Sequence, residues 1–209
     1  MKTHPNILLL ACVMPVLAWS AWQPYDTLTW WLEVAPVFFG FIALFIAWAK
    51  YDWRLSNMAL TLVGIHMIIL IIGGHYTYAR VPLGNWAAET FGLARNHYDR
   101  LGHLAQGLVP AIICREIFLR LHVIVKRGWL GFCVVSVCLA ISATYELIEW
   151  AAALLSAEAA ESFLGTQGDG WDTQSDMFLA GIGALITVFL LPGMHDRSMA
   201  RLAKHLPLT

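Results

Sequence analysis

Uncharged apolar runs separated by short polar segments recur six times along this chain. They predict membrane-spanning helices near residues 6–22, 30–49, 57–78, 101–123, 129–155 and 176–191. The run from Trp129 to Leu155 is the most informative. It is apolar and small over most of its length, then presents Tyr145, Glu146 and Glu149. Side chains three or four positions apart share a face of a helix, so the two glutamates point the same way. An ionised carboxylate in hydrocarbon is costly and must face a cavity, a cation or a hydrogen-bonding partner.

The intervening segments refine this picture. Trp30 and Trp31 at one end of the second run, with Trp48, Tyr51 and Trp53 at the other, suit two interfacial aromatic belts. Glu33 lies near the edge of that run and reads as solvated. The third run ends in Gly73-Gly74-His75-Tyr76, and the stretch from Arg80 to Arg100 reads as polar and irregular. A turn-rich acidic loop contains Glu158, Glu161 and Gly165 to Asp172, and a basic tail follows Pro192-Gly193. Ala18-Trp19-Ser20 resembles a small-x-small processing site, so a cleavable leader competes with a first span. Residues 1–209 form a single integral membrane domain in this reading.

Composition agrees. Of 209 residues 59% are hydrophobic and 13% charged, against roughly 25% charged in a soluble domain. The absence of a long basic run argues against nucleic acid as a partner. Cys12, Cys114, Cys133 and Cys138 all lie in apolar runs without zinc spacing, and read as small buried residues.

The distribution of Lys and Arg orients the chain. With the amino terminus inside, Lys2, Lys50, Arg54, Arg120, Lys126, Arg127, Arg197, Arg201 and Lys204 fall on the inner side, and Arg80, Arg95 and Arg100 on the outer. Both termini are then cytoplasmic. At about 1.5 Å rise per residue, Glu146 lies roughly 26 Å above Trp129 and His75 roughly 27 Å above Asn57, in a hydrocarbon layer about 30 Å thick. Asp99 and His103 open the fourth span, and Asp172 and Asp176 open the sixth, at that same outer level. Four segments therefore deliver acids or histidines to one depth. Such a set, His75, Asp99, His103, Glu146, Asp172 and Asp176, suits a divalent metal ion such as Zn, Mg or Mn, and suits a shared-proton cluster nearly as well. Taken singly, Asp99 and Asp172 read as helix-start residues. His66, at mid-depth, reads as a neutral histidine bonded within the bundle. Arg115 and Glu116 read as snorkelling groups, and His4, His122, His195 and His205 as interfacial or tail residues without a function.

Gly74-His75-Tyr76-Thr77-Tyr78, the run from Arg95 to His103, Tyr145-Glu146 and Gly165-Thr166-Gln167-Gly168-Asp169 together resemble the YjdF family of bacterial inner-membrane proteins, over essentially the whole chain. The resemblance implies a multi-pass protein of the bacterial inner membrane and carries no activity with it. A looser likeness, confined to the second half, is to VanZ-like membrane proteins. It rests on Asp99 and His103, Tyr145-Glu146, and Asp176 with Gly183; Ala180 departs from it where that pattern has Asn. It implies a role at the cell envelope or with a lipid-linked substrate.

The expectation is thus an all-α bundle of six transmembrane helices with an outward polar pocket built from spans three to six, the first two spans acting as outer buttresses. Three functions compete. A metal-dependent hydrolase or transferase would act on an envelope lipid, with Glu149 or His103 moving the proton and the loop from Gly165 covering the site. A non-catalytic scaffold would use the cluster as a folding clasp. A small proton-coupled transporter would need polar groups at intermediate depth, where only His66 sits. Membrane lipids are the surroundings in all three.

Overall fold

The computed structural model describes residues 5–155 and 167–204. Gly165, Thr166, Glu158, Glu161, Lys2, His4 and His205 lie outside the described residues. Those described form eight α-helices and one 3-10 turn, without a strand among them: α1 Pro5–Ser20, α2 Thr27–Tyr51, α3 Asn57–Tyr76, α4 Pro82–Phe91, α5 Tyr98–Arg120, the 3-10 turn Arg127–Trp129, α6 Leu130–Leu155, α7 Asp172–Phe189 and α8 Pro192–Ala203. Each expected run is helical. By length and composition, however, only Thr27–Tyr51, Asn57–Tyr76 and Arg127–Leu154 among the described residues are fit to cross a membrane on their own; α7 with α8, bent by 65°, makes a fourth if taken as one span. α1 is short, at 16 residues. α5 carries Asp99, Arg100, Arg115, Glu116 and Arg120. It tolerates them because it packs against α3, α6 and α7, so those groups face protein.

Local chemistry sets the helix ends. The Asp26 carboxylate accepts the Thr29 N–H at 2.7 Å and starts α2; Ser56 does the same for α3 through Ala59. The stretch from Arg80 to Arg100 is not irregular throughout, because α4 occupies its first half. Pro82 stands at the first helical turn, and Gly92 closes the helix in the left-handed conformation with φ 64°. Leu83, Trp86 and Phe91 are exposed along it, as in a helix lying at a membrane surface. The basic tail is likewise helical: Pro192, expected as a stop, opens α8.

Two of the three apolar clusters among the described residues join the long helices. Val13, Val34, Val37, Ala59, Ile71 and Ile112 join α1, α2, α3 and α5. Ala111, Val134, Cys138 and Ala184 join α5, α6 and α7. The closest approach is between α5 and α7. A Cβ on Gly107 would lie 1.8 Å from the Ala180 carbonyl oxygen, and one on Gly183 would lie 2.2 Å from that of Leu104. In a bilayer, helices associate through such small-residue contacts because lipid supplies no hydrophobic drive between them. Apolar residues elsewhere face outward: Phe39, Ile42 and Phe45 on α2, Phe132 and Leu147 on α6, Phe178 and Phe189 on α7.

At the basic end of the bundle, Glu116 and His195 are fully buried, which corrects their reading as snorkelling and tail residues. Glu116 accepts from the Ser56 N–H at 2.9 Å and from Arg120 at 2.7 Å. Arginine only donates, so His195 Nδ1 accepts from Arg115 at 3.0 Å and its Nε2–H donates to Glu116 at 3.1 Å. Ser198 Oγ accepts the Met58 N–H at 3.0 Å, capping α3 from α8.

Candidate functional site

The opposite end of the bundle gathers the acids and histidines. α5 and α7 run side by side, and their first turns present Asp99, His103 and Asp176. One ligand atom from each of these three lies within 4.8 Å of the other two. His103 is held from two directions: Nε2 is 3.5 Å from Asp99 Oδ1, and Nδ1 is 3.1 Å from Gln106 Oε1. α6, running the other way, brings Glu146 Oε1 to 3.8 Å from His103 Nδ1. Asp176 and Glu146 are both buried, and Asp176 Oδ1 and Glu146 Oε1 have no hydrogen-bond partner. Buried polar atoms without partners are rare in folded proteins, so these two oxygens, on carboxylates that each neighbour His103, stand out.

Beside this cluster is a cavity of about 190 Å³ between α2, α3, α5 and α6. Glu33, His66, Asp99, His103, Tyr145 and Glu149 supply its polar wall; Pro36, Leu70 and Ile141 supply its apolar one. Tyr145 donates its hydroxyl to Glu33 Oε2 at 3.1 Å. Glu33 is 4% exposed, so its reading as a solvated residue is corrected: it is a wall group of the site. α2 is accordingly no mere buttress. His66, mid-helix on α3, also belongs to this wall, with Nε2 buried and unpartnered.

The other expected site residues are used elsewhere. His75 is not brought to the cluster. Its ring nitrogen lies 2.9 Å from the Ser20 carbonyl and its ring lies 4.4 Å from that of Trp19, in the seam between α1 and α3. Asp172 pairs with Arg95 one turn above Asp176. Glu149 lines the cavity on the side of Tyr145. The part of the acidic loop that is described forms a clamp over this end. Asp169 pairs with Arg95 at 3.3 Å and Arg100 at 2.8 Å. Gln167 Oε1 accepts the Asn96 N–H at 3.1 Å, while its amide donates to the Asn96 carbonyl at 2.8 Å. The Trp171 N–H, with Arg95 and Arg100 beside it, holds the Asp169 carboxyl below its ordinary range. Burial, then the charges of Arg100 and Arg95, push the His97 imidazole down.

Residues 5–197 match the family described as "Predicted membrane protein (DUF2238)". The chain is also 50% identical, over 186 residues, to the inner membrane protein YjdF of Escherichia coli (strain K12), covering 89% of this chain and 88% of that one. The chain belongs to the DUF2238 family. Its place is the inner membrane, as for that relative, and the exposed apolar faces of α2, α6 and α7 suit a bilayer. No solved structure matches it. The match to the DUF2238 family takes in every residue of the cavity wall and of the Asp99–His103–Asp176 cluster, so the site lies wholly within what the family shares as a region.

Proposed function

We propose that Asp99, His103 and Asp176 bind a divalent cation, and that the protein is a metal-dependent hydrolase or transferase acting on an envelope lipid at the periplasmic face. The observation that carries this is the pair of buried, unpartnered carboxylate oxygens on Asp176 and Glu146 beside three ligand atoms within 4.8 Å of one another. Zinc and manganese bind at about 2.0–2.2 Å from nitrogen and oxygen, so small side-chain movements close the set around an ion. With its Nδ1–H donated to Gln106, His103 offers the Nε2 lone pair on the Asp99 side, the usual arrangement of a metal-bound imidazole. Glu146 Oε1, 3.8 Å from Nδ1, stands on the Gln106 side of the ring, outside this ligand set. Glu149, on the cavity wall, is the proton-transfer group. A cation here would polarise a phosphoryl or acyl oxygen, or lower the pKa of a bound water.

Two further observations support a lipid. α2 packs on α3, and α6 on α5 and α7; the cavity lies between α2 and α6, bridged by the Tyr145–Glu33 hydrogen bond. Ile141 lines the cavity and is 40% exposed, on an α6 surface that continues through Ile148, two turns on. A head group in the cavity would leave acyl chains along this seam. The excess of Lys and Arg at the other end supports a cytoplasmic orientation for that end. The test is elemental analysis of detergent-purified protein equilibrated with Zn or Mn. One ion per chain is expected, lost in Asp176→Asn and His103→Ala. Wild-type protein that keeps its fold and takes up neither ion overturns the proposal.

One observation favours a second reading. His66 carries the cavity wall towards mid-depth, and its Nε2 is unpartnered, as a proton relay would need. A proton-coupled carrier would show flux in proteoliposomes that His66→Ala abolishes; the hydrolase or transferase would show none.

A further inference from the structure

We propose that the groove at the basic end of the bundle, between the end of α5, the 3-10 turn and α8, binds the phosphodiester head group of an anionic phospholipid. The groove has a volume of about 670 Å³ and is built with two characters. Arg115, Arg120 and Arg127 line it together with the apolar Leu119, Val125 and Met199. The first two guanidinium groups are fixed in place by the buried network. Arg115 is held by His195 at 3.0 Å and by Asp196 at 2.8 Å. Arg120 is held by Glu116 and lies 3.7 Å over the Trp53 ring. Arg127 differs from both: it is exposed, and its guanidinium makes no hydrogen bond or ion pair among the described residues.

The apolar wall decides for a lipid over a free phosphate. Val125 and Trp129 are 85% and 59% exposed at the rim, and Leu121 and Val123 are exposed beside them. Such a surface suits acyl chains, and the aromatic rings of Trp53 and Trp129 suit the interfacial level at which phosphodiesters lie. Lys50, Arg54, Lys126, Arg197, Arg201 and Lys204 lie at the same end and add to its positive potential. Asp196, half exposed on its Arg115 partner, opposes an incoming anion and sets the affinity. The inference is independent of any chemistry at the other end of the bundle.

The test uses the full chain in mixed micelles of phosphatidylglycerol or phosphatidylcholine, with retained lipid counted by native mass spectrometry and the thermal midpoint read alongside. Phosphatidylglycerol should be retained in preference to phosphatidylcholine. Arg127→Gln should weaken that retention about fivefold, the effect of one basic residue near an anionic surface, and raised salt should weaken it too. Asp196→Asn should strengthen it. Equal retention of the two lipids, or no change in Arg127→Gln, overturns the proposal. So does inorganic phosphate alone raising the midpoint as much as phosphatidylglycerol, because that result describes a soluble-anion site.

Discussion

At the scale of single residues, the site is decided by which partners reach each ionisable group. His75 and His103 are both histidines at the end of the bundle, yet Ser20 holds one in a helix seam while Asp99, Gln106 and Glu146 surround the other. Glu33 looks like any acid at the edge of a span until Tyr145, 112 positions away, is seen to donate to it. Spacing along a helix made the Asp99–His103 and Tyr145–Glu149 pairs legible; nothing in a single sequence announces a partner that far off. Asp169 yields a prediction with a definite sign. Its carboxyl lies below the ordinary 3.8, first through the Trp171 N–H and then through Arg95 and Arg100. A depressed folded value means that the clamp's contribution is fully present above the ordinary range and is lost as pH falls through the depressed value. Limited proteolysis should therefore find residues 167–171 protected at about pH 5 and loosened only in stronger acid. Asp169→Asn should loosen them at both.

At the scale of elements, the pairing of α5 with α7 brings Asp176 to His103. Gly107 and Gly183 allow it, because any side chain there would meet the facing backbone. Ala180, which departs from the VanZ-like pattern, is fully buried, with its backbone carbonyl against Gly107. Gly107→Leu should force the helices apart. We expect a loss of about 1–3 kcal/mol, the cost of overpacking a tight contact, read as a lower thermal midpoint in detergent, together with weaker metal uptake. A variant as stable as the wild type, with uptake unchanged, would show that the contact does not set the site. α4 is set by local chemistry: Pro82 followed by Gly92 is the start-and-stop signature of a short helix, and it outweighs the loop character of Asn85 and its polar surroundings.

At the scale of the whole molecule, the two ends of the bundle carry opposite chemistry, with acids and histidines at one and arginines around a buried glutamate at the other. His195 ties α8 into that second network. Its removal leaves Glu116 and Arg115 each short of a partner in a dry place, so His195→Ala should lose about 3 kcal/mol and expose α8 to hydrogen exchange while α2 and α3 stay protected. Unchanged exchange in α8 would show that the docking rests on other contacts. The sequence by itself determined the all-helical membrane class, the location of every long helix among the described residues and the level along each helix at which its polar groups stand, because hydrocarbon permits few ways to satisfy a backbone and none to hide a charge cheaply. Only the tertiary structure decided which groups share a cavity. Depth is a property of position along one helix, whereas direction around the axis depends on which neighbour a helix packs against. Glu33 and His66 entered the site, and His75 left it, through that rotation alone.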